Sequence, residues 1–170
     1  MKKLLQSGLL ILVITAYSHE SQGQYYLHSA GVRVGGSYGL TYKKFFNEAQ
    51  AFELLLGGRH GGMHVTGTFQ FNKPLNLSKN ETFFLYYGGG AHLGFQDYQT
   101  KILDDFNGGY RYENQTYFAM GIDAIMGMEY RLLTAPITIG LDLKPYFTFI
   151  GFRYTNANFW DMSLSVKYTF

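Results

Sequence analysis

From residue 24 onward the chain alternates apolar and polar or small residues with a period of two, stretch after stretch. In the last stretch Trp160, Met162, Leu164, Val166, Tyr168 and Phe170 share one parity, and Asp161, Ser163, Ser165, Lys167 and Thr169 share the other. Between Tyr117 and Tyr130, Phe118, Met120, Ile122, Met126 and Met128 alternate with Ala119, Gly121, Asp123, Gly127 and Glu129. Successive strand residues point to opposite faces, so this spacing predicts half-buried strands and excludes long helices. The same rule places strands at roughly 26–34, 38–46, 51–59, 63–71, 83–95, 116–130, 137–149 and 158–170. Alternation runs unbroken from Gly31 to Phe46, too long for one strand. A three-residue turn at Gly35-Gly36-Ser37 divides it and sets Val34 opposite Tyr38, with glycine accepting the backbone angles such a turn requires. The longest connection, Gln96–Gln115, is polar and reads as a loop.

Alternation alone fits either a soluble barrel, apolar inside, or a membrane barrel, apolar outside. The polar face carries Arg33, Lys43, Arg59, Lys144 and Lys167 against Glu53, Asp123, Glu129, Asp142 and Asp161. Five cations meet five anions, which suits a closed network filling a narrow lumen better than a solvated surface. Eight strands enclose an interior just wide enough for side chains. Glycines 57, 88, 90, 94, 121, 127 and 140 on that face make room for them. The apolar face carries aromatics near strand ends. Phe46, Phe52, Phe71, Phe83, Tyr130 and Phe170 fall at one end, and Phe95, Phe118, Phe149 and Trp160 at the other. Two such girdles match the two interfaces of a bilayer. The expected fold is all-β: a closed, antiparallel, eight-stranded, up-and-down transmembrane β-barrel over residues 24–170. Even strand number puts both termini on the periplasmic side and Gln96–Gln115 outside.

The first 23 residues read as a cleaved signal peptide. Lys2 and Lys3 precede an apolar run centred on Leu9–Ile14, and the small residues Ser21 and Gly23 mark a cleavage site, with Ser18 as second choice. The run ends by Tyr17, short of the ~20 residues of a membrane helix. The 170 residues contain no cysteine, which excludes a disulfide scaffold, a cysteine zinc site and a lipoprotein anchor. Charged residues are 15% and aromatics 18%, a balance that excludes disorder. A net charge of +2 with no basic run gives no sign of nucleic-acid binding.

The chain resembles the small outer-membrane β-barrels of Gram-negative bacteria, the OmpX and OmpA-barrel kind. It is most similar to a group of such barrels common in Bacteroidetes. The resemblance rests on Gly31-Val32-Arg33-Val34-Gly35-Gly36, Leu40-Thr41-Tyr42-Lys43, Tyr87-Gly88-Gly89-Gly90-Ala91-His92 and the C-terminal ladder ending in Phe170. It implies an outer-membrane location, lipid contact, and an assembly signal at Tyr168 and Phe170 read by the barrel assembly machinery.

Several residue sets carry chemistry on paper. His64 and His92 share the inner face with Thr66 and Glu53, a hydroxyl–imidazole–carboxylate set suited to acyl transfer; some outer-membrane barrels modify lipid A this way. Arg59, His60 and His64, near a turn, suit a phosphate or a metal. Asp97, Asp104, Asp105 and Glu113 suit calcium, though without EF-hand order. The ten inner charges either plug the barrel or line a narrow, porin-like channel, and Asp142 is two residues from Lys144, close enough to pair. The expected role is structural or surface-interacting rather than enzymatic: a monomer with no catalytic residue, metal or cofactor, and no nucleic-acid partner.

Overall fold

The computed structural model describes residues 26–59, 61–75, 83–104, 109–132, 134–151 and 154–170. The signal peptide expected over 1–23, His60 and Asp105 lie outside them. Ten strand segments are present: β1 (His28–Gly35), β2 (Tyr38–Asn47), β3 (Gln50–Arg59), β4 (Gly62–Leu75), β5 (Phe83–Asp104), β6 (Gly109–Arg131), β7 (Ile137–Leu143), β8 (Tyr146–Ile150), β9 (Tyr154–Asn158) and β10 (Met162–Thr169). Each pairs antiparallel with its neighbours, β5 joins β6, and β1 joins β10, so the sheet closes on itself. The described residues contain no helix.

The ten segments form eight staves. β7 and β8 keep one register against β6, from Met126↔Leu143 to Asp123↔Tyr146 and Ala119↔Ile150. Pro145 interrupts them because it has no N–H to return to β6, although its carbonyl still accepts the Ala124 N–H at 2.9 Å. β9 and β10 are joined differently. Leu143 faces Met162, but Tyr146 faces Asn158, so three residues on the last stave stand against two on its neighbour. This is a β-bulge at Phe159–Asp161. The Asn158 side-chain carbonyl accepts the Trp160 N–H at 2.9 Å and holds the bulge, which turns Phe159 and Trp160 outward together.

A ladder begun at Val32 passes Leu40, Leu56, Val65, Leu93, Met120 and Phe149 and returns on the last stave at Thr155. Val32 itself pairs with Val166, eleven residues further on, and one of the eleven is the bulge's extra residue. The barrel therefore closes with a stagger of ten. For a rise of ~3.3 Å and a strand spacing of ~4.8 Å, eight staves at that stagger tilt by about 40° and give a backbone radius of about 8 Å. Side chains fill such an interior.

The short turns follow the sequence reading. β1 and β2 meet around Gly36, and the register Arg33↔Gly39 sets Val34 opposite Tyr38. Gly61, at φ 75°, closes the β3–β4 turn in the left-handed region that glycine favours.

The expected loop at Gln96–Gln115 is a correction. β5 and β6 stay paired from Asp97↔Thr116 out to Asp104↔Gly109. Their other neighbours stop earlier, β4 at Gln96 and β8 at Ala119. Hydrophobic alternation fades there because a two-stranded ribbon beyond the barrel has no inside. Backbone pairing needs no such pattern. β4 likewise runs to Leu75, four residues past its expected end. Beyond Asn72, whose N–H bonds Ala49, it has no β3 partner, and Pro74 is tolerated on that free edge.

Candidate functional site: the charged interior

The face that alternation predicts as polar is the interior. All ten of its charged side chains are buried, each at 5% exposure or less. Tyr86, Tyr146, Leu55, Ile125 and Ile150 fill the space between them. Outside, every stave shows large apolar side chains to the surroundings. Of the ten expected girdle aromatics, nine are exposed. The tenth, Phe83, is half-buried because its ring lies 4.7 Å from that of Tyr130.

Charged groups taken out of water must find partners or cost several kcal/mol each. At the end of the barrel holding both termini, the network is dense. Lys167 Nζ lies 2.8 Å from Glu53 Oε1 and 3.8 Å from Glu129 Oε2. Lys43 Nζ lies 3.3 Å from Glu129 Oε2 and donates to Asn72 at 3.0 Å. The Thr41 hydroxyl and the Gln70 amide donate to Glu53. Tyr26, just ahead of β1, donates to Glu129 at 2.9 Å and lays its ring against Arg131, whose guanidinium carbon is 4.2 Å from the ring centre. Arg131 also covers Phe84 at 4.4 Å, so this end is closed by stacked planar groups.

Across the middle, Arg33 and Asp142 meet through two contacts of 2.6 and 2.8 Å. Tyr86 donates to the same carboxylate at 2.9 Å. The direct Asp142–Lys144 pair expected from spacing is not formed. Arg33 reaches Asp142 across the barrel from β1, a contact that sequence proximity does not reveal. Lys144 has no carboxylate within 4.0 Å among the described residues.

At the far end Asp123 holds two partners: Arg59 at 3.3 Å and His92 Nδ1 at 2.6 Å. Arg59 Nη2 and the Thr148 hydroxyl approach His92 Nε2 at 2.8 and 2.9 Å, and Arg59 stacks 3.5 Å over the Tyr146 ring. Guanidinium donates only, so Nε2 is the acceptor and Nδ1 carries the proton given to Asp123. The hydroxyl–imidazole–carboxylate set of the sequence reading is thus recomposed. Its carboxylate is Asp123, its hydroxyl is Thr148, and Glu53 belongs to the other end. Arg59 occupies the nitrogen that a general base needs free, and the set is walled in by the barrel. Geometry comes before identity in assigning a base, and here the imidazole is engaged at both nitrogens. His64 packs edge-on at 5.4 Å from His92, and neither of its ring nitrogens has a hydrogen-bond partner among the described residues. Arg59 and His64, read as lying near a turn, are buried interior residues.

Glycines fix these positions. A Cβ at Gly121 would lie 2.6 Å from His92 Cε1, and one at Gly127 would lie 2.8 Å from Tyr86 Cζ. Each large inner ring thus sits over a residue without a side chain.

Sequence reading missed the role of Tyr26, at the start of the first expected strand, and those of the uncharged partners Thr41, Gln70, Asn72 and Thr148. Their inward parity was legible, but not their contacts. Of the acidic set proposed for calcium, Asp105 and the side chains of Asp104 and Glu113 lie outside the described residues. Asp97 accepts a hydrogen bond from Thr116 at 2.6 Å, and no cluster of three metal-ligating side chains occurs among the described residues. At the C-terminus, Phe170 exchanges two backbone hydrogen bonds with His28, at 2.9 and 3.0 Å, and stacks on Tyr168. The chain matches no family model, and no curated protein is similar to it.

Proposed function

We propose that the protein is an integral outer-membrane β-barrel with a structural or surface-interaction role, working as a monomer. One observation carries the reading: the polarity of a soluble protein is reversed around a closed wall. Val32, Leu40, Leu56, Val65, Leu93 and Ile122 stand exposed on the outside while ten charges lie buried within. An apolar exterior of this extent aggregates in water, and a bilayer covers it. Closure of the sheet supports the same reading, because hydrocarbon tolerates no unpaired strand edge. The aromatic residues at both rims suit the headgroup level, and the terminal Phe170 beside Tyr168 suits recognition by the barrel assembly machinery. In this orientation the short turns and the β5–β6 ribbon face outward, both termini face the periplasm, and the rigid wall displays the ribbon as a contact surface.

Cell fractionation with heat-modifiability on gels tests the reading. The expected result is a protein in the outer-membrane fraction that migrates faster unboiled than boiled. Recovery in the aqueous fraction without detergent overturns it. Deleting 97–116 and scoring envelope phenotypes then tests the displayed ribbon. Planar-bilayer recordings are expected to be flat, since ion pairs span the interior from Tyr26 to Asp123.

A further inference from the structure

The far end of the interior holds a cavity that the network leaves unfilled. It is small and partly open, with room for about one water-sized sphere, between the short β1–β2 and β3–β4 turns. Arg59, His64, Lys144, Ser37 and Thr66 line it, and no carboxylate does. A second space shares Leu55, Thr66 and Lys144 with it, and there Glu53 stands among the lining residues with Arg33.

Its lining is short of acceptors. His64 is 5% exposed and has no hydrogen-bond partner on either nitrogen. Arg59 spends both terminal nitrogens on Asp123, His92 and Thr148, but its Nε is unpartnered. Lys144, 1% exposed, forms no ion pair within 4.0 Å among the described residues. Buried donors left unmatched cost roughly 1–3 kcal/mol each. A water accepts two hydrogen bonds and turns its own protons toward the cations. A monatomic anion accepts from every side.

We propose that the cavity between Arg59, His64 and Lys144 binds a small monovalent anion of chloride's size. The site is built rather than accidental in shape. Gly62 and Gly94 flank the His64 ring so closely that a Cβ on either would lie 2.9 Å from it, which holds the imidazole in place. The interior is already balanced, five cations against five anions, so the bound anion brings a charge that needs a match. Arg59 and Lys144 supply it locally, because no carboxylate lines the cavity. The site does not depend on the membrane reading, since it stands on the interior alone.

The test uses the refolded full barrel in detergent. Its thermal midpoint is followed while sodium chloride replaces sodium gluconate at constant ionic strength. The expected result is a saturable rise with chloride and bromide, absent with sulfate. Lys144→Gln is expected to flatten the response. Should that variant not fold, His64→Leu, which removes the ring donor, is expected to weaken it. Crystals grown in bromide are expected to show one anomalous peak between His64 and Lys144. Equal behaviour in chloride and gluconate, or ordered water in place of the peak, overturns the site. A barrel found in the membrane fraction with no halide response would sink this inference alone.

Discussion

The two ends of the interior reach charge balance by different means. At the terminal end Lys43 and Lys167 meet Glu53 and Glu129, both lysines lie within 4.0 Å of a carboxylate, and Thr41, Gln70, Asn72 and Tyr26 add hydrogen bonds. From the middle to the far end Arg33, Arg59 and Lys144 stand against Asp123, Asp142 and Asp161. Arg33 and Arg59 are paired, but Lys144 and Asp161 are not, and His64 is unbonded. Counting charges makes the ends look alike, while hydrogen-bond geometry separates them. A neutral sum is cheap to arrange in a sequence. Pairing each charge requires residues from several staves to converge, and the terminal end pairs its lysines and glutamates more completely.

That contrast can be broken by removing one carboxylate from each end. Glu129→Ala leaves Lys43 without its carboxylate and Tyr26 without its acceptor, while Lys167 keeps Glu53, and the loss is expected to be about 3–5 kcal/mol, as for other buried pairs deprived of one partner. Urea unfolding from lipid vesicles, followed by the fluorescence of Trp160, the single tryptophan, measures it. A destabilisation below ~1 kcal/mol would mean that the terminal network is no tighter than the far one.

An exterior control comes next. Ile122→Arg touches neither network and is expected to cost about 2–4 kcal/mol in vesicles, the range for arginine near a bilayer midplane. In detergent the cost is expected to shrink; an equal cost in both media would argue against lipid on that face.

Packing sharpens the comparison further. Gly121→Ala drives a Cβ against the Phe147 carbonyl and the His92 ring, and overpacking of this kind costs about 1–3 kcal/mol. Gly89→Ala, on the outer face with its nearest atom at 3.4 Å, is expected to change stability by under ~0.5 kcal/mol. The smallest effect among the inner charges is expected for Asp161→Asn, under ~1 kcal/mol, because the carboxylate has no ion-pair partner and Ser163 approaches it only at 3.5 Å. If that variant unfolds as readily as Glu129→Ala, the two ends are equivalent and the distinction fails.

Much of the fold was legible because strand periodicity reports only which side a residue faces. The eight staves, the turn at Gly36, the ten inner charges and nearly all of the girdle follow from parity. Parity is silent where a face has no inside, which is why the ribbon from Asp97 to Thr116 read as a loop. It also breaks where a bulge adds a residue. The consecutive aromatics Phe159 and Trp160 were the available sign of that break, and the strand expected from residue 158 missed the stave's first segment, Tyr154–Asn158. The inner contacts were less legible. Asp142 and Lys144 looked like a pair from their spacing, yet Asp142 bonds Arg33, 109 positions away.

By itself the sequence determined a closed wall with greasy residues on one side and a balanced set of ions on the other, because alternation, glycine placement and turn residues are local properties. Only the tertiary structure decided who meets whom across the barrel. A stagger of ten and a one-residue bulge set which rungs face each other, and neither leaves a local trace. Partnership across an 8 Å radius is settled by registers summed around all eight staves.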